Sequence, residues 1–204
     1  MLVFILAFVM RCFLSYRKSM PAFSLPVLYA VCLGSLLLTV STNISNDDLV
    51  SVWKSLNFFI LPEFLICVYY LRKHVTQDMA SRLLLFIHQF FPLGLIYVCF
   101  YLGDLAQVNA TLIGVHHLLI SVSCLLYFHQ QSIQSPEQLP LTYASFWNIT
   151  GIMVSSGVSL TTGVLFINGV TGHFFTMGVV LYICARLVMF VFFSVALTIH
   201  LRSI

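Results

Sequence analysis

Along the 204 residues, apolar stretches close to the length of a membrane crossing alternate with short polar breaks. A bilayer core takes about 20 consecutive apolar residues in helical form. Seven runs approach that length, at residues 2–16, 24–40, 49–71, 83–102, 110–129, 141–167 and 174–201. The breaks have turn chemistry: Arg17-Lys18-Ser19-Met20-Pro21, Ser41 to Asp48, Arg72-Lys73-His74, Gly103-Asp104, Gln130 to Gln138, and Asn168 to Gly172. The pattern predicts an all-α fold, a polytopic integral membrane bundle of seven transmembrane helices forming one domain over residues 1–204. In the first run the basic residues follow the apolar core, and no A-x-A-like site comes after it. A retained helix is therefore expected, with Arg11 reaching toward its basic end.

Composition points the same way. Charged residues make up 7% of the chain and hydrophobic ones 60%, too little charge to cover a water-facing surface. The lipid bilayer is the expected surrounding. Lysine and arginine mark cytoplasmic loops. In the seven-helix arrangement Arg11, Arg17, Lys18, Arg72, Lys73, Arg82 and Arg202 share one side, and Asp47, Asp48, Asp104 and Lys54 the other. The N-terminus is expected outside and the C-terminus in the cytoplasm, in a bacterial inner membrane. The net charge of +3 belongs to this asymmetry and gives no reason to expect nucleic acid. No internal duplication is evident, which argues against an inverted-repeat transporter.

An ionisable side chain at membrane depth costs about 2.5–3.5 kcal/mol or more, so each one asks for a partner or a function. Glu63 lies well inside the third run and Arg186 near the middle of the seventh. With a rise of 1.5 Å per residue, Glu63 sits roughly 12 Å and Arg186 roughly 20 Å above the cytoplasmic ends of their spans, within reach of a long arginine side chain. A Glu63–Arg186 pair is expected, either as a clamp between the two helices or as the floor of a ligand cavity. Pro62 removes a helical hydrogen bond near Phe58 and fits the second role.

Among the seven histidines, His88 lines the same region by depth, about 8 Å from the inner edge, whereas His116 and His117 lie nearer 17 Å. Adjacent residues on a helix also point about 100° apart, so one of that pair is expected to face any given site. With no HExxH or other zinc spacing, the histidines are expected to serve interhelical hydrogen bonding. No metal and no cofactor are expected. The sixth run is small and hydroxylated, and Gly151…Ser155 and Ser159…Gly163 have the spacing of close helix contacts, within the bundle or across a homo-oligomer seam. Trp147 and Asn148 near its inner end are candidates for a cavity mouth. The six cysteines fall inside the apolar runs without a C-x-x-C pair and are expected to pack as small apolar groups.

Several functions are excluded or disfavoured. No lysine follows Lys73, so a retinal Schiff base on the last two helices is impossible. There is no G-x-S-x-G nucleophile elbow, and neither charge rings nor a glycine-rich filter suggests a channel.

Asn57-Phe58-Phe59-Ile60-Leu61-Pro62-Glu63-Phe64-Leu65, followed by Tyr69-Tyr70-Leu71-Arg72-Lys73, resembles the third helix of a broad group of seven-helix membrane proteins of Bacteroidota. Ala144 to Ile152, with Ser155-Ser156-Gly157, is similar to their sixth helix. Comparable bundles form the membrane half of some sensor histidine kinases. No kinase region follows here, so the resemblance implies a separate membrane or signalling protein partner. The expected function is non-enzymatic: a sensory, ligand-binding or partner-binding role with Glu63, His88, Trp147, Asn148 and Arg186 as candidate site. The alternatives are a transporter or lipid-handling protein, and then a membrane enzyme acting on lipid.

Overall fold

The computed structural model describes residues 49–75, 78–101, 105–134, 143–168 and 173–202. The first two apolar runs, with Arg11, Asp47 and Asp48, lie outside the described residues. Among the described residues there are helices and no strand: α1 (Leu49–His74), α2 (Asp78–Tyr101), α3 (Leu105–Gln134), α4 (Ala144–Asn168) and α5 (His173–Arg202). They correspond to the third to seventh runs. Two segments, Leu112–Gln134 in α3 and Val180–His200 in α5, are long and apolar enough to cross a membrane.

Helices extend past the apolar runs at several ends. Arg72, Lys73 and His74 complete the last turn of α1, and Gln130–Gln134 continue α3 rather than opening a loop. The reason is that backbone hydrogen bonding, not hydropathy, ends a helix. Basic side chains in a last turn also complement the partial negative charge there. α1 continues through Pro62 and α2 through Pro92.

Each helix buries one stripe. In α1 it is Ile60, Glu63, Phe64, Cys67, Val68 and Leu71; in α3 it is Ile113, His116, His117, Ile120, Cys124 and Tyr127. These steps of three and four are the one-sided spacing of an α-helix. α3, α4 and α5 pack in sequence as antiparallel neighbours, while α1 lies against α2 and α3 and edges α4. The α4–α5 contact is the closest. A Cβ placed on Gly151 would fall 2.6 Å from Phe192 Cβ, so the glycine sets how near the two helices lie.

Polar side chains share the interior with the apolar core, and large apolar ones stand on the surface. The inward face of α4 buries Asn148, Ser155, Ser156, Ser159 and Thr162, while Val154 and Val158 face outward. On α2, Phe86 and Phe90 stack on one another at 4.3 Å and are each more than half exposed. Hydroxyls at depth satisfy themselves on the preceding turn: Ser123 donates to the Leu119 carbonyl at 2.7 Å, Thr150 to Phe146 at 2.7 Å and Ser194 to Phe190 at 2.9 Å.

Candidate functional site

The inward stripes of four helices bring one charged cluster together. α1 supplies Glu63, α3 supplies His116 and His117, α4 supplies Ser155, and α5 supplies Tyr182 and Arg186. All are buried. Arg186 meets the carboxylate with both ends of its fork: Nη1 lies 2.6 Å from Glu63 Oε1, and Nη2 donates to Oε2 at 3.0 Å. Planar guanidinium and carboxylate match in this bidentate form, and charge-assisted bonds of this type are the strong ones. Both side chains are 1% exposed, so bulk solvent is excluded and neighbouring side chains take over the solvation.

It does so from every side. Tyr182, one turn before Arg186, donates its hydroxyl to Glu63 Oε2 at 3.2 Å and lays its ring under the guanidinium, 4.4 Å from centroid to Cζ. Arg186 Nη1 also donates to Ser155 Oγ at 2.8 Å. Its Nη2 lies 3.2 Å from His117 Nε2. Because a guanidinium can only donate, His117 Nε2 accepts, which fixes that ring as the neutral tautomer with its proton on Nδ1. The carboxylate and the guanidinium then offset one another's charge, with His117 neutral beside them.

His116 is bound less completely. Its Nε2 lies 3.4 Å from Glu63 Oε2, a contact outside hydrogen-bond geometry, and among the described residues neither of its ring nitrogens has a hydrogen-bond partner. The same holds for His117 Nδ1. The ring of His116 sits edge-on to His117 at 4.5 Å, with Phe64 at 5.8 Å and Phe91 of α2 at 6.1 Å closing the apolar side. One ligand atom each from Glu63, His116 and His117 lies within 4.8 Å of the other two.

The candidate residues therefore separate. Glu63 and Arg186 are in direct contact. Asn148 is buried elsewhere, donating from Nδ2 to the Tyr70 hydroxyl at 2.7 Å. Tyr70 is seven residues beyond Glu63, about 10 Å along α1. Trp147 stacks against Phe192 at 5.9 Å on the α4–α5 side. The side chain of His88 lies outside the described residues.

The expectation that one of His116 and His117 faces a given site does not hold, because both rings reach the cluster. The inward stripe of a packed helix spans 100° or more, so adjacent residues straddling its midline can converge on a point in front of it. Ser155 and Tyr182 were also legible in principle. Tyr182 precedes Arg186 by the four residues that make helical neighbours, and Ser155 belongs to the hydroxyl-rich face of α4.

No protein-family model matches the chain, and no match to it is found among curated proteins or solved structures. The reading of the site rests on its own geometry.

Proposed function

We propose that this is a non-enzymatic polytopic membrane protein, a seven-helix bundle of the bacterial inner membrane, with a sensory, ligand-binding or partner-binding role centred on Glu63 and Arg186. The observation that carries the reading is the buried bidentate pair joining α1 to α5. α1 otherwise packs on α2 and α3, so the pair is its main tie to α5. A ligand or partner that engages either charge changes how these helices sit, and such a shift requires higher affinity for one arrangement than the other. The exposed apolar side chains of α2 and α4 support lipid as the surrounding medium.

The test is to purify the wild-type chain and Glu63→Gln in nanodiscs and to identify what each retains, small molecules by mass spectrometry and proteins by cross-linking. A molecule or partner held by the wild type and lost from a folded Glu63→Gln is the expected result. Nothing retained by either overturns the proposal. Solute flux in proteoliposomes that disappears in Glu63→Gln assigns the bundle to transport instead.

A further inference from the structure

We infer that Glu63, His116 and His117 form a binding site for a divalent transition-metal ion, with Arg186 as an internal cation that competes for the same position. The inference deepens the reading of this cluster as the working site, and rests on it.

Three observations carry it. First, the cluster offers a carboxylate and two imidazoles whose ligand atoms lie within 4.8 Å of one another. A tetrahedral ion holds such atoms at about 2.0–2.2 Å, and so about 3.4 Å from one another, which the side chains reach by closing in on the ion. Second, the fully buried His116 has no hydrogen-bond partner at Nδ1 among the described residues, and its Nε2 makes only the 3.4 Å approach to Glu63 Oε2. A buried polar group left in that state costs about 1–3 kcal/mol, and a metal bond to Nε2 removes part of that cost. Third, Arg186 Nη2 stands 3.0 Å from Glu63 Oε2 and 3.2 Å from His117 Nε2. A positive group already occupies the space between two of the three ligands.

The last point gives the site its character. A metal ion entering beside the guanidinium must displace Nη2, which frees the Oε2 and Nε2 lone pairs together. Nη1, held by Glu63 Oε1 and Ser155 Oγ, belongs to the same rigid fork and shifts with it. Metal binding and the α1–α5 tie are thereby coupled through one side chain. Imidazole donors favour ions such as zinc, cobalt, nickel and copper over magnesium and calcium, which prefer oxygen alone.

The experiment uses tag-free, chelator-stripped full-length protein in nanodiscs, titrated with Co2+ for its visible ligand-field absorption and with Zn2+ in competition. Wild-type protein should give a Co2+ band displaced by Zn2+ and not by Mg2+. His116→Ala and His117→Gln should lose it. The glutamine keeps an acceptor for Arg186, and a metal-free unfolding transition like that of wild type separates loss of binding from failure to fold. Arg186→Met should bind Co2+ at least tenfold more tightly than wild type and regain with Zn2+ the thermal stability it loses without metal.

No band in wild type overturns the proposal, even if Arg186→Met binds, and so does a band that survives both histidine changes. Stripped protein that binds no Co2+ yet still retains its ligand or partner overturns the metal site and leaves the sensory reading standing.

Discussion

Arg186 grips both carboxylate oxygens of Glu63, at 2.6 Å and 3.0 Å, from a helix that α1 barely touches elsewhere. Taking two charges out of water is costly, and their attraction offsets that cost while both are present. Glu63→Leu and Arg186→Met should therefore each destabilise the protein by about 3–5 kcal/mol, whereas the two changes combined should recover most of the loss. Unfolding in mixed micelles, read as a double-mutant cycle, checks this. Additive losses would show that the pair is not the unit that holds α1 to α5.

Gly151 makes a separate prediction for α4 and α5. An alanine methyl at this position would meet Phe192 Cβ at 2.6 Å and the Met189 carbonyl at 3.3 Å, atoms close to the backbone with little freedom to move. Gly151→Ala should destabilise by about 1–3 kcal/mol, the usual cost of overpacking. Gly157→Ala, with open space around its Cβ, should be neutral or slightly stabilising by helix propensity. Thermal unfolding of the two variants side by side separates packing from propensity. Equal effects would mean that the α4–α5 approach is not limiting.

The apolar runs locate all five described helices, because a long segment that shuns water must satisfy its backbone internally. The helix ends are less legible, since Arg72 to His74 and Gln130 to Gln134 are polar yet still hydrogen-bonded within helices. The Glu63–Arg186 contact follows from depth and the cost of isolated charge. His116 and His117 carry the same clue: at about 17 Å by helical rise they fall between the depths of Glu63 and Arg186. Their angular separation conceals it, because a 100° offset excludes a shared site only when the site is small compared with the helix face. Asn148 is the opposite case. Its buried amide reads as a site group in sequence, while its partner Tyr70 is visible only once α1 and α4 are placed.

The Asn148–Tyr70 bond gives a third prediction. Tyr70 is buried and its hydroxyl receives the amide proton at 2.7 Å. Removing one partner strands the other, at about 1–3 kcal/mol. Asn148→Ala should show a loss of that size, Tyr70→Phe a smaller one, and the two together less than their sum. Ligand or metal retention should be unchanged in Tyr70→Phe, because the pair stands about 10 Å from the charged cluster. Loss of binding in a folded Tyr70→Phe would extend the site to the Asn148–Tyr70 pair.

His74, at the end of α1, gives the pH prediction. Burial pushes its pKa below the ordinary 6.5, and the neighbouring Lys73 charge adds to the effect. The imidazole lies 4.7 Å from the Tyr70 ring, tilted 52° to it. With the folded-state value below the unfolded one, the unfolded chain takes up the proton first. The contribution of His74 to stability is therefore complete above pH 6.5 and is lost as pH falls below that toward the folded-state value. Titration of the His74 ring resonance should give a midpoint below 6.5, moving upward in Lys73→Gln. Thermal stability of His74→Gln should fall less steeply on acidification than that of the wild type. A midpoint at or above 6.5 would mean that the last turn of α1 is open to water and that Lys73 points away.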